Sequence, residues 1–171
     1  MSKSGFVCRV SFMSVLMVGC SHPTAGTSSA TAAPIKASAA TGPVKPATTA
    51  DDNAWGTYLS EQGKLHGKDV EGHPYIYLIP GGDSIGATAR RKDEAQSIPT
   101  AIGPIVIPGS LLVLGGPDPL QTNAMVLALP KAIKAGTLHG VVVLIVSDAS
   151  QKDAITKAYA STDATLRFVA M

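Results

Sequence analysis

Cysteine is nearly missing from this chain. Its 171 residues hold only Cys8 and Cys20, both close to the N-terminus. The rest of the chain therefore has no disulfide framework, and its fold must rest on an apolar core. Aromatic residues are scarce too, at 5%, with Trp55 the single tryptophan. No basic stripe with interleaved aromatics occurs, so nucleic-acid binding is not expected. No Cys/His cluster, Walker loop or G-x-G-x-x-G fingerprint is present. The apolar stretch near the start, Val10 to Val18, has nine residues. As a helix it would span only about half of a ~30 Å hydrocarbon core, so it is not a transmembrane anchor.

Lys3 and Arg9 precede that stretch, and Gly19-Cys20 follows it. A positive start, a short apolar run and a small residue before the break are the marks of an export signal. The run ends in Met17-Val18-Gly19-Cys20, which resembles the lipobox of bacterial lipoproteins. Met17 stands where that family prefers Leu, and Leu16 lies one place early. The resemblance implies cleavage after residue 19 and diacylglycerol on the sulfur of Cys20. Acyl chains would then hold the protein at a lipid bilayer without spanning it. Within that family Asp after the Cys marks inner-membrane retention. Here Ser21 implies the periplasmic face of the outer membrane in a Gram-negative cell.

Residues 20–50 form the next region. Ser21 to Ala50 is Ala, Thr, Ser, Pro and Gly, with Ile35 and Val44 the only larger aliphatics. Such a segment buries too little surface to offset its ordering entropy and is expected to be a disordered linker. As a flexible coil it has a root-mean-square span of roughly 30 Å. The formal charge of +2 includes Lys3, Arg9, Lys36 and Lys45, all before residue 51. Residues 51–171 keep ten basic side chains against twelve acidic ones, a net of −2.

Residues 51–171 are long enough for one core and read as an α/β domain. Asp51 or Asp52 caps a first helix, with Trp55, Tyr58 and Leu59 on one face. Tyr75–Ile79, Leu111–Leu114 and Val141–Val146 are apolar runs too short for buried helices and too continuous for one-sided strands. They predict strands covered on both faces, as in a parallel sheet. Thr165–Val169 is a fourth, and Arg167 marks it as an edge. Helices are expected from Asp83 or Ser84 to about Gln96, after Asp118-Pro119, and after a capping-box-like Ser150-Gln-Lys-Asp153. Ile98–Gly109, with three prolines, reads as an irregular connection. The expectation is a small three-layer domain, Rossmann- or flavodoxin-like. A four-stranded, mainly parallel sheet of order 2-1-3-4 follows one helix. Ligands in such folds sit at strand carboxyl ends, where the order reverses.

Three loops fall on that edge: Gly81-Gly82-Asp83-Ser84, Gly115-Gly116-Pro117-Asp118 and Ser147-Asp148. Three readings compete for them. Gly82-Asp83-Ser84-Ile85-Gly86 matches G-x-S-x-G after a strand, which would make Ser84 the nucleophile of a serine esterase. The same residues faintly resemble the first block of GDSL/SGNH hydrolases, and Leu114 to Asp118 echoes their Gly-x-Asn-Asp block. Pro117 replaces its Asn, and the Asp-x-x-His expected near the C-terminus is missing. His66, His73 and His139 all precede strands, on the edge away from Ser84. A zinc site among them is a further expectation. In the second reading Asp83, Asp118 and Asp148 hold Mg²⁺ or Ca²⁺, with Gly81 and Gly82 offering amides to a phosphate. The third, favoured here, is a non-catalytic domain without a cofactor. It binds an envelope protein, peptidoglycan or a small ligand through Gly81, Gly82, Asp83, Asp118 and Asp148. In it Ser84 only starts a helix.

Overall fold

Leu111–Gly115 and Val142–Ser147 carry aliphatic side chains at nearly every place, so neither strand has a face to offer water. A computed structural model describes residues 42–171 and puts these two strands in the middle of a sheet. The expected signal peptide, its lipobox and Cys20 lie outside the described residues. Element order is α1 (Asp52–His66), β1 (Pro74–Leu78), α2 (Ile85–Ala101), β2 (Leu111–Gly115), α3 (Pro119–Ala132), β3 (Val142–Ser147), a 3-10 turn (Ala149–Gln151), α4 (Lys152–Tyr159) and β4 (Thr165–Ala170). The sheet has four parallel strands with helices on both sides, the α/β architecture expected. Among the described residues no helix is long and apolar enough to cross a membrane.

The expected order 2-1-3-4 is corrected to β1-β2-β3-β4. The physical consequence is large. When each right-handed crossover steps to the next position in one direction, every crossover helix falls on the same face. Here α2 packs on α3 and α3 on α4. Those helices cover Leu112, Leu114, Val143 and Ile145 with Ile98, Val126, Leu129, Ile155 and Tyr159. Helix α1 alone covers the other face, where Trp55, Tyr58 and Leu59 meet Leu111, Val113, Leu144 and Val146. The register joins Ile76, Val113, Leu144 and Arg167 in one row, so alternate residues of each strand divide cleanly between the two cores. With no reversal in the order, the sheet has no switch-point crevice of the kind expected.

Glycine makes the α1 contact close. A Cβ at Gly115 would lie 2.5 Å from Leu59 Cδ2, and one at Gly67 2.6 Å from Leu111 Cδ2. Helix α1 therefore runs antiparallel to the strands, its start over their carboxyl ends. Strand β4 pairs only with β3 and is an edge, as Arg167 suggested.

Two smaller expectations change. Helix α2 continues through Pro99 to Ala101, because Ile98 and Ala101 bury an apolar turn beyond it. The Thr100 hydroxyl caps that turn by donating to Gln96 O and Ser97 O, at 3.2 and 2.8 Å. Ser150 and Asp153 form no capping box. Asp148 takes the cap, accepting from Ser150 N–H at 2.8 Å and from the Ser150 hydroxyl. Of the expected linker, residues 20–41 lie outside the described residues, and residues 42–50 are described. Ala50 N–H donates to Ala47 O at 3.0 Å, and the Trp55 indole N–H donates to the same carbonyl at 3.1 Å.

Candidate functional site at the strand carboxyl ends

Each loop on this edge is held by a cap. The Ser84 hydroxyl accepts from Ala87 N–H at 3.1 Å and starts α2. Asp118 Oδ1 accepts from Leu120 N–H and Gln121 N–H, at 2.9 and 3.3 Å, with Pro119 at the first helical place. Asp51 Oδ1 accepts from Ala54 N–H at 2.8 Å at the head of α1. These oxygens use the free amides of each first turn and offset the positive end of the helix dipole.

The paired glycines do two different jobs. A Cβ at Gly81 would lie 2.9 Å from Pro117 Cγ, so Gly81 permits close approach of the first two loops. Gly82 has φ of 72°, the left-handed region that favours glycine. Arg91 then locks the turn. Its guanidinium donates to Pro80 O at 2.9 Å and to Gly82 O at 2.6 Å. Asp83 is bridged to the second loop by Gln121, whose Nε2 donates to its Oδ1 at 3.4 Å.

These loops and the start of α1 bound an open cleft of about 740 Å³. Thr48, Thr49 and Ala50 form one wall, Pro80, Gly81, Gly82, Ser84 and Gly86 a second, and Pro117 to Pro119 a third. Asp52 and Arg90 meet across it in an ion pair of 2.7 Å, with both side chains more than half exposed. Solvent screens such a pair, so it is easily exchanged for a ligand contact.

Of the residues expected here, Gly81, Gly82, Ser84 and Asp118 line this cleft, and Asp83, between two of them in sequence, does not. Asp148 does not line it. That carboxylate turns to α3 and accepts from Asn123 Nδ2 at 3.3 Å. The bonds from the Ser150 hydroxyl, the Ser150 amide and Asn123 hold its pKa below the usual carboxylate range. Among the described residues no group of three or more His, Cys, Asp or Glu side chains is placed to hold a metal ion. His66 ends α1, His73 precedes β1 and His139 precedes β3, all on the amino edge. Five residues of β1 separate His73 from the Ser84 loop, about 16 Å of strand.

Sequence reasoning missed Arg90, Arg91 and the 48–50 wall. Arg91 is seven residues after Ser84, two helical turns along the same face, and that spacing was its one available signal. Comparison with protein-family models, with curated proteins and with solved structures finds no match to this chain.

Proposed function

We propose that this chain is an exported lipoprotein, anchored through Cys20, that presents a non-catalytic α/β binding domain. Its ligand occupies the carboxyl-end cleft. One observation carries the reading: three loop or helix-start segments, from separate parts of the chain, meet around one open cleft whose hydroxyl is already spent on a helix cap. The Ser84 hydroxyl accepts from Ala87 N–H, and among the described residues it donates to no imidazole, carboxylate or amine that could act as its base. A pre-formed concave site with a few polar groups is the usual form of a ligand pocket.

Two substitutions test this. Gly86 lines the cleft, and a Cβ there meets nothing within 4 Å. Gly86→Trp should fill the cleft, leave the thermal midpoint within a few degrees, and reproduce the phenotype of deleting the protein in cells. A Gly86→Trp protein that complements the deletion fully would defeat the cleft as the binding place. Ser84→Ala should lower stability by about 1 kcal/mol through loss of the cap and should complement normally. Hydrolysis of p-nitrophenyl esters by the parent, abolished by Ser84→Ala, would replace the binding reading with the esterase one. The anchor is tested separately: Cys20→Ala should move the protein from the membrane fraction to the soluble one and remove label from radioactive palmitate.

A further inference from the structure

We infer that Ala47–Ala50 is a releasable strap that joins the state of the N-terminal tether to the shape of the cleft. Thr48, Thr49 and Ala50 are a wall of the cleft, yet they belong to the chain that leads in from the N-terminus. The wall is fastened at a single point. The Trp55 indole donates to the carbonyl of Ala47, and the Ala50 amide closes a turn within the strap onto the same oxygen. Ala50 adds a small apolar contact against the core beneath α1. The indole bond alone ties the strap to α1, so release breaks one hydrogen bond while the turn inside the strap can persist. Water can replace that bond at once, so the net cost of release is modest.

The domain behind the strap is fastened differently. Strands β2 and β3 are paired on both sides and buried on both faces. A segment with few apolar contacts and solvent-near hydrogen bonds opens at far lower free energy than such strands. The strap therefore has two states, docked and released, above an unchanged sheet. A ligand touching Thr48 or Thr49 favours the docked state. By reciprocity, anything that draws the tether away weakens that ligand by the same factor. The tether's role rests on the lipoprotein reading above, whereas the strap itself is tested without lipid or ligand. Failure of one leaves the other standing.

The full chain reports on itself, since Trp55 is its only tryptophan. Ala50→Pro deletes one donor to Ala47 O. Thr48→Gly with Thr49→Gly loosens the strap without adding bulk. Either variant should raise acrylamide quenching of Trp55 at least threefold while the far-UV thermal midpoint moves by only a few degrees. In the parent, urea should shift Trp55 emission before it changes the far-UV signal, and Ala50 N–H should exchange much faster than the β2 and β3 amides. Amide shifts of Gly81, Gly82 and Gly86 should move in both variants, because they face the departed wall. Coincident urea curves, with quenching unchanged in both variants, would make the strap part of the cooperative core and end the proposal. Strap release that leaves those three glycine amides unmoved would end the coupling to the cleft.

Discussion

The two faces of the sheet are covered unequally. One has three helices in a row, packed on one another. The opposite one has α1 alone, which reaches β1, β2 and β3. The cause is topological. An order that never reverses sends each crossover helix to the same side, and only a helix that precedes the first strand is free to take the other. The single helix compensates with size and proximity. It brings Trp55 and Tyr58, whose rings meet edge to face at 5.7 Å, and it sits close over Gly115. Where α1 does not reach, Arg167 takes over. It leaves the apolar row of its strand neighbours and binds Asp69 through two oxygens, at 2.7 and 2.6 Å, and the carbonyl of His66. A thin face is thus held by a few large contacts, a thick one by many small ones.

The sharpest way to break this comparison is to shorten the largest of those contacts. Trp55 is 1% exposed, and its indole fastens the strap as well. Trp55→Ala should cost about 3–5 kcal/mol, read from urea unfolding. Leu129→Ala on the thick face should cost less than Leu59→Ala on the thin one, because Ile155 and the neighbouring helices can settle into the space at Leu129. Equal losses at these two leucines would show that the number of covering helices does not decide how each face absorbs a cavity.

The sheet was readable from sequence for the same reason that its order was not. Short continuous runs such as Leu111–Leu114 report burial on both faces, which is a local property of the strand. Caps at Asp51, Ser84 and Asp118 were legible as well, since an N-cap depends on residues within one turn. Strand order depends on which neighbour a run meets after a connection of many residues, and nothing inside the run encodes it. Pro99 misled in the opposite sense. Its local preference against helix was overridden by the burial of Ile98 and Ala101 in the core. At the site, the glycines and aspartates showed where loops turn. The Asp52–Arg90 pair and the strap on Ala47 join residues brought together only by folding.

A smaller effect sharpens the comparison from the thick face. The Tyr159 ring is 2% exposed, and its hydroxyl has no hydrogen-bond partner among the described residues. Burial pushes its pKa well above the usual phenol range. A buried hydroxyl without a partner costs roughly 1–3 kcal/mol relative to one in water. Tyr159→Phe keeps the ring and removes that cost, so it should raise stability by about 1 kcal/mol, seen as a higher urea midpoint at constant slope. A loss of stability would mean that the hydroxyl is satisfied and that this face is wetter than its packing implies.

The smallest expected effect is electrostatic and belongs to the border of the thin face. The Arg167 side-chain hydrogen bonds, followed by the backbone, hold the Asp69 carboxyl down from 3.8 to about 2. A folded-state pKa below the unfolded one means that the unfolded chain takes up protons first. Stability from this pair is therefore complete above pH 4 and drains away as pH falls through about 2. Its size is limited, because Asp69 is 69% exposed and water screens the charge. The measurement is the urea midpoint of the parent against Asp69→Asn between pH 5 and 2. Asp69→Asn should be the less stable protein at pH 5, and the difference should shrink steadily toward pH 2. A difference that stays constant with pH would show that Asp69 acts through packing or backbone geometry, and that Arg167 needs no charge opposite it to close the gap α1 leaves.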